Sequence, residues 1–419
     1  MTPLPRLFAV LALAALWAAR AADAAPPPDV GAETPLTLQE TLRRVAEQGP
    51  QSALADATLR SAEANVGVAR QLPNPTLSVE AENIGGTGAY SGGQLRETTT
   101  SLAWPLELGG KRAARVRAAE AERTAAVLGA DAARADAVLQ ATEIFIEAAA
   151  GERRLVLARE RLRLAETGVN AARARVRAGK ASPIDEQRAE VVRLNAEVAV
   201  GQAQRTVDLA RATFARWTGT PGAVPRAAWF ETVEGDVSPE TDTPPALALA
   251  EAEVAAADAR LSVARRARIP DLTLSAGVRR FAAVDDRATV VGIALPFPVF
   301  SSGRAGVAKA RADLDASEAR QRTIALDYGR AAASAQAELD NARAAAQTAG
   351  GPALAAAEEA ARIARLGYEA GKFSQLDLLE AERVLAETRG GAVQALTDFH
   401  LARARLIRLQ GRADPLFKD

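Results

Sequence analysis

Apolar residues recur at alternating spacings of three and four positions along much of the chain, the heptad pattern typical of helices packed side by side. In the first half, this seam consists of Leu155, Ala158, Leu162, Ala165, Val169, Ala172 and Val176. In the second half, a matching seam consists of Leu354, Ala357, Ala361, Ala364 and Tyr368. A further stripe beside the first seam consists of Leu157, Leu164, Gly168 and Ala171. The pattern therefore predicts long helices with neighbours on two sides, as in a ring of helices.

The first of these helices is predicted to be unusually long. Between residues 110 and 178 the chain has no proline, and its only glycines are Gly129, Gly151 and Gly168. We predict a helix at about 110–178, on the order of 100 Å long at about 1.5 Å per residue. The second half predicts its counterpart at about 303–370.

Shorter segments alternate apolar and polar residues with the period of two that is typical of β-strands. Leu77, Val79 and Ala81 alternate with polar residues in the first half, and Leu274, Ala276 and Val278 do so in the second. The predicted strands lie at about 75–83, 97–106, 271–281 and 288–297. One apolar and one polar face suits the wall of a water-filled β-barrel in an outer membrane, and the alternative is a solvent-exposed hairpin without membrane contact.

Four strands cannot close a barrel by themselves. Open strand edges are not tolerated in lipid, so membrane-spanning strands would require the chain to oligomerise. Three copies would supply twelve strands.

The whole arrangement occurs twice in the chain. VARQLPNPTLSVE resembles VARRARIPDLTLSAG, LAWPLELGGKRAARV resembles IALPFPVFSSGRAGV, and the AGK tripeptide at Ala178 recurs at Ala370. These pairs are about 191 to 195 residues apart, which indicates an internal duplication. We therefore predict a first repeat at 25–218, a Pro-rich linker at 219–245, a second repeat at 246–411 and a tail at 412–419.

The N-terminal residues 1–24 read as a secretory signal peptide. Arg6 precedes an apolar run, and Ala22 and Ala24 frame a cleavage site of the A-x-A type. The alternative is a buried N-terminal helix. The sequence contains no cysteine, so we expect no disulfide framework, no thiolate metal site and no lipid-anchor cysteine. Beyond residue 24 no run of eighteen apolar residues occurs, which argues against a helical transporter of the inner membrane.

Composition and charge exclude further classes of protein. Lys and Arg total 52, as do Asp and Glu, so nothing indicates a nucleic-acid partner. The single histidine, His400, lies in a predicted helix and is expected to be packed or interfacial rather than catalytic. The zinc motif H-E-x-x-H is absent, and GTGAYSGG lacks the lysine of a phosphate-binding loop. We therefore expect no enzyme, no cofactor and no resident metal site.

The duplication, NPTLSVEAEN, the elbows WPLELGGKR and FPVFSSGR, and the two AGK turns together resemble the TolC family of outer-membrane efflux ducts. ELGGKR after a strand is more similar to the CzcC branch, which serves heavy-metal exporters of the RND type. The resemblance implies a mostly α fold with a small β part, forming a homotrimer with a twelve-stranded barrel in the outer membrane of a Gram-negative bacterium. It further implies a long periplasmic helical tunnel, a periplasmic adaptor and an inner-membrane RND pump as partners.

Three functions follow as expectations from this resemblance and its alternatives. The first is an exit duct for divalent heavy-metal cations such as cobalt, zinc and cadmium. The second is a duct for drugs, small organic molecules or type I secretion. The third is a periplasmic coiled-coil scaffold or adaptor without a pore, although an adaptor usually has one helical hairpin, whereas this chain duplicates hairpin and strands together.

Both AGK turns have the residues of well-capped helical hairpins. Gly179 and Gly371 fit the left-handed cap at the end of one helix, and Ser182 with Asp185, or Ser374 with Asp377, fits the start of the next. Capping alone would account for these residues. The resemblance additionally implies that the turns are tips that contact the adaptor, at Gly179, Lys180, Ala181, Ser182, Gly371, Lys372, Phe373 and Ser374.

The resemblance also implies an aperture at the periplasmic end. Asp377 and Glu380 match the acidic pair that rings the closed opening, and Asp185 and Tyr368 match two members of the network that holds it shut. Phe373 stands where the family has an arginine, with Lys372 beside it. We therefore expect a rewired or weaker lock in this chain.

Overall fold

The computed structural model describes residues 33–233 and 243–411 of the chain. The predicted signal peptide at 1–24, part of the predicted linker and the predicted tail at 412–419 lie outside these residues. The described helices are α1 (Leu38–Gln48), α2 (Pro50–Arg70), α3 (Lys111–Arg177), α4 (Pro183–Thr218), α5 (Pro245–Ala267), α6 (Arg304–Gly350), α7 (Pro352–Glu369) and α8 (Gln375–Gln410). The described strands are β1 (Thr34–Leu36), β2 (Thr76–Glu82), β3 (Glu97–Leu106), β4 (Ala223–Pro225), β5 (Leu272–Phe281) and β6 (Asp286–Ala294).

Helix α3 connects the sheet to the far end of the molecule. It is 67 residues long, which corresponds to about 100 Å. It packs against α2 and α5 near the sheet, against α4 at the other end, and against α8. Seam residues Leu155, Val169 and Ala172 are buried, so the heptad seam faces a neighbouring helix.

The second repeat does not form one long helix at 303–370. It is divided into α6 and α7, because Gly351 has φ −108° and ψ −107°, which is incompatible with an α-helix. Pro352 follows at the first position of α7, where its missing N–H is tolerated. The prediction of an unbroken helix was wrong, and the Gly350-Gly351-Pro352 run in the sequence marks the break.

Four strands form one antiparallel sheet in the order β2-β3-β5-β6, so β2 and β6 are its two edges. Each repeat supplies a hairpin, and β3 and β5 join the two repeats over ten residue pairs from Glu97↔Phe281 to Leu106↔Leu272. Strand β6 ends at Ala294 and not near 297, because Pro296 and Pro298 cannot donate ladder hydrogen bonds. Phe297 and Phe300 beyond it are almost fully exposed.

Glycines form the elbows between the sheet and the long helices. Gly109 and Gly110 precede α3 with φ of 68° and 71°, and Gly303 precedes α6 with φ of 70°. All three φ angles lie in the left-handed region of backbone conformation, which glycine adopts without a steric penalty. A Cβ atom on Gly109 would lie 2.2 Å from Ile269 Cδ1, so this elbow packs directly against the chain that enters β5.

The main hydrophobic core lies at the midpoint of α3, where Phe145 packs against Phe214 of α4 with ring centroids 5.7 Å apart. The predicted linker contributes to this core. Its strand β4 pairs in parallel with β1, and a 3₁₀ turn at Ala228–Glu231 buries Phe230. Arg153 of α3 lies over the Phe230 ring at 4.1 Å and forms an ion pair with Glu231 at 2.6 Å. Within the described residues, no helix is long and apolar enough to cross a membrane.

Candidate functional site: the helical turns and the sheet

The two AGK turns have the same backbone structure. Gly179 and Gly371 both have φ of 69°, and each lies two residues beyond the end of a helix. The N–H of Lys180 donates to the carbonyl of Arg175 at 2.9 Å, and the N–H of Lys372 donates to the carbonyl of Gly367 at 2.8 Å. These six-to-one bonds, with the five-to-two bonds of the glycines, form a Schellman motif at each turn.

The helices that follow the turns begin with acidic caps. The N–H of Ser182 donates to Asp185 Oδ2 at 3.2 Å, and the N–H of Ser374 donates to Asp377 Oδ2 at 2.9 Å. The Ser374 hydroxyl also donates to Asp377 at 2.7 Å. Both bonds stabilise the ionised carboxylate, so they lower the pKa of Asp377, the hydroxyl being the larger cause. The Asp377 side chain therefore stays charged and is held at the start of α8.

Glu380 lies one helical turn beyond Asp377 and is exposed. It forms an ion pair with Arg383 at 2.6 Å, and Arg383 also pairs with Glu387 at 2.6 Å. The hydrogen bond from Arg383 lowers the pKa of Glu380. Within one chain, the negative charge of Glu380 is thus partly balanced by its neighbour on the same helix.

Arg175 connects the first turn to the second. Its Nη1 donates to the carbonyl of Tyr368 at 3.3 Å, and its guanidinium carbon lies 4.4 Å from the centre of the Tyr368 ring. This geometry fits a cation–π contact. Its Nε atom is buried without a hydrogen-bond partner among the described residues. Among the described residues, no hydrogen bond joins Tyr368 to Asp185. The resemblance to the TolC family implies that both belong to one network.

Two residue differences between the repeats explain the contact of Arg175 with Tyr368. Arg175 of the first turn corresponds to Gly367 of the second, and Ala181 corresponds to Phe373. The Phe373 ring packs on Gly367 so closely that a Cβ there would lie 2.1 Å from Phe373 Cδ2. Phe373 therefore packs on its own hairpin. The sequence reasoning missed Arg175, although aligning the two copies residue by residue would have shown this exchange of sizes.

Other polar contacts join the hairpin of α3 and α4 to that of α7 and α8. The amide of Gln375 donates to the carbonyl of Asp185 at 2.9 Å. Arg389 of α8 pairs with Glu160 of α3 at 3.0 Å and with Glu358 of α7 at 2.9 Å. The hairpins are thus joined through polar side chains, at the turns by Gln375 and about 21 Å along α8 by Arg389. The remaining residues of the predicted tips, Gly179, Lys180, Ser182, Gly371, Lys372 and Ser374, are exposed.

The sheet has one apolar and one polar face. Leu77 of β2 pairs with Leu102 of β3, which pairs with Ala276 of β5, which in turn pairs with Val291 of β6, so an apolar row crosses all four strands. Leu77, Leu102 and Val291 are more than half exposed. The opposite face is polar on β2 and β3 and carries Ser78, Glu80, Glu82, Glu97, Thr99, Ser101 and Arg279, while β5 and β6 add the apolar residues Phe281, Ala288 and Val290.

The single histidine of the chain lies in the hydrophobic core. His400 is buried, and its Nε2 lies 2.9 Å from the carbonyl oxygen of Phe230. Across residues 33–233 and 243–411, no group of three or more His, Cys, Asp or Glu side chains could hold a metal ion.

Comparison with known proteins agrees with this architecture. The chain matches the family described as "Outer membrane efflux protein" over residues 41–220 and 242–412. It is 31% identical over 389 residues to the cobalt-zinc-cadmium resistance protein CzcC of Cupriavidus metallidurans, which covers 90% of each chain. It is 34% identical over 344 residues to the nickel-cobalt-cadmium resistance protein NccC of Alcaligenes xylosoxydans, which covers 80% of this chain and 75% of the relative.

Solved structures show the same fold. A structure of CusC, described in connection with transmembrane channel formation, has a TM-score of 0.75 at 18% identity and covers 93% of this chain and 99% of its own. The outer membrane protein VceC of Vibrio cholerae has a TM-score of 0.73 at 20% identity, covering 90% of this chain and 96% of its own. Members of this group are transport channels and not enzymes. The chain therefore belongs to the outer membrane efflux protein family and is a channel of the TolC and CzcC type.

Proposed function

We propose that this channel is the exit duct of a tripartite RND-type efflux system and that its cargo is divalent heavy-metal cations such as cobalt, zinc and cadmium. The main evidence for this cargo is the 31% identity to a cobalt-zinc-cadmium resistance protein over 90% of the chain. A nickel-cobalt-cadmium resistance protein at 34% identity supports the same class of ion.

The duct is a homotrimer in the outer membrane of a Gram-negative bacterium, with most of the chain in the periplasm. The unpaired edges of β2 and β6 support this assembly, because edge strands in lipid must pair with another chain. Three sheets joined edge to edge give a twelve-stranded barrel, with the apolar row towards lipid and the polar face towards water. The long helices then form the periplasmic tunnel.

In this trimer, two turns per chain give six turns around the periplasmic mouth. The exposed residues of both AGK turns contact the hairpins of a periplasmic adaptor, which links the duct to an inner-membrane RND pump. Asp377 and Glu380 concentrate negative charge at the mouth, while Asp185, Tyr368 and Arg175 keep the two hairpins together in the closed state. The contact of Arg175 with Tyr368 supports this last role.

The cargo is tested by growth of a clean deletion strain, complemented in trans, on zinc, cobalt, cadmium, nickel, copper and silver beside dyes, bile salts and antibiotics. We expect loss of tolerance to divalent metals alone, with recovery on complementation. Sensitivity only to organic compounds would contradict the metal cargo and support the second candidate, a duct for drugs, small organic molecules or secreted polypeptides.

A further inference from the structure

Arg279 is in contact with two other strands on the polar face of the sheet. Its Nη1 lies 3.0 Å from Glu97 of β3 and its Nη2 lies 3.3 Å from Glu82 of β2. Its Nε donates to the hydroxyl of Thr99 at 2.9 Å, and Thr99 is buried. All three nitrogen atoms of this guanidinium thus have partners, which fixes the side chain over the sheet near the end where the hairpin loops lie.

The two carboxylates that Arg279 contacts are direct neighbours. Glu82 and Glu97 are paired residues in the register of β2 and β3, so their side chains lie side by side on one face. Like charges at such a position repel each other. Adjacent carboxylate oxygens are also ligands for hard or borderline divalent cations. Without Arg279, this pair would therefore attract a divalent cation.

Arg280, the next residue of β5, shows that the contacts of Arg279 depend on the face of the sheet on which the side chain lies. Arg280 has the same side chain but lies on the opposite, apolar face and pairs with Asp285 of the hairpin loop at 2.7 Å. Its exposed fraction is 59%, against 32% for Arg279. The chain thus provides two adjacent arginines of equal charge, only one of which contacts the carboxylate pair.

We propose that Arg279 occupies the Glu82–Glu97 pair so that divalent cations passing along the polar face are not retained there. This inference depends on the proposed function, because it requires the polar face to line a water-filled duct. A passive exit conducts best when ions are attracted but released, and binding sites that hold an ion obstruct the flow. Arg279 thus neutralises part of the negative charge of this face, while Glu80 on the same face has no ion pair among the described residues and still attracts cations.

The test is block of conductance by divalent metal in planar bilayers. Zinc or cobalt chloride is titrated on the side of the hairpin loops, against wild type, Arg279→Gln, Arg279→Met, Arg279→Lys and Arg280→Gln. Loss of a charge within contact distance of two carboxylates should lower the half-blocking concentration on the order of tenfold or more for the Gln and Met variants. Arg279→Lys and Arg280→Gln should resemble wild type, and Glu97→Gln added to Arg279→Gln should return it towards the wild-type value.

Equal half-blocking concentrations for Arg279→Gln, Arg279→Met and wild type would overturn the inference. So would a block that persists when Glu97→Gln is added, since the metal would then bind elsewhere. The proposed function fails separately if wild type itself forms no conducting pore, and this inference fails with it. Oligomeric state on an unheated gel shows beforehand that each variant has assembled.

Discussion

At the scale of single residues, His400 shows how the fold determines the chemistry of a side chain. The sequence predicts a packed or interfacial histidine, and packing is confirmed: the residue is 3% exposed in the core. The rings of Trp229, Phe230 and Phe399 lie 4.8, 5.4 and 5.1 Å from its own. Burial is the main reason that the pKa of His400 falls to about 4. The nearby Arg403 and Arg153 lower the pKa further, while the carbonyl of Phe230 and the carboxylate of Glu231 raise it.

This pKa predicts a loss of stability in mild acid. The folded pKa lies below the unfolded value of about 6.5, so the unfolded chain takes up the proton more readily. The stabilising contribution of neutral His400 is therefore complete above about pH 6.5 and is lost as the pH falls towards 4. Its size is on the order of 3 kcal/mol per chain.

The measurement is thermal unfolding in detergent across this pH range, for wild type and His400→Gln. Glutamine can still donate a hydrogen bond to the carbonyl of Phe230 but does not titrate. We expect the melting temperature of wild type to fall more steeply with acid than that of the variant. Parallel curves would show that His400 contributes nothing to the acid sensitivity.

At the scale of elements, the two helical hairpins are unequal although their turns have the same backbone. The first is formed by the end of α3, which is continuous from the sheet, whereas the second begins at the break at Gly351. Contacts between them near the turns are polar, through Arg175 and Gln375. The second hairpin is therefore the one expected to move when these contacts are broken.

Removal of Arg175 is predicted to open the aperture. Arg175→Ala loses both the hydrogen bond and the ring contact to Tyr368, so single-channel conductance in planar bilayers should rise relative to wild type. Arg177→Ala is the matched control, because Arg177 is exposed and carries the same charge two residues away. An equal rise in both variants would attribute the effect to lost charge instead of the lost contact with Tyr368.

The same recordings test the acidic pair at the mouth. Asp377 caps α8, so Asp377→Asn with Glu380→Gln removes charge with less damage to the helix start than truncation to alanine. We expect weaker block by divalent cations added on the periplasmic side. Unchanged block would rule out a role for these two carboxylates at the aperture.

The spacing of apolar residues predicted most helices and strands, because buried positions recur every three or four residues in a helix and every second residue in a strand. The fold class, mostly α with a small β part, is confirmed. The break at Gly351 was missed because the second long helix was predicted as the counterpart of the first, which has no proline, although Gly351 and Pro352 interrupt the second copy. The contact of Arg175 with Tyr368 was missed for another reason, since it joins residues 193 positions apart, and no local pattern reports such a pair.

At the scale of the whole molecule, the sheet makes one chain incomplete by itself. Its edges β2 and β6 are unpaired, and its apolar row is exposed on the same sheet. A water-soluble scaffold or adaptor seldom exposes a contiguous apolar patch. The arrangement instead favours assembly of several copies before or during entry into lipid.

We predict that the protein fractionates with the outer membrane as a heat-labile trimer. An unheated sample in detergent should migrate at about three times the mass of a heated one, and native mass spectrometry should give the same stoichiometry. Recovery as a monomer in the soluble periplasmic fraction would contradict the duct and support the scaffold alternative.

The continuity of α3 also limits how the length of this protein can change in evolution. Each inserted residue advances a helix by about 1.5 Å and turns it by about 100°, so a single insertion would rotate the buried seam away from its partner. Seven residues nearly restore the face, at about 10 Å of added length. Between the core and the turns, α3 would have to change together with α4, α7 and α8. Helix length should therefore vary among relatives in matched steps of about seven residues.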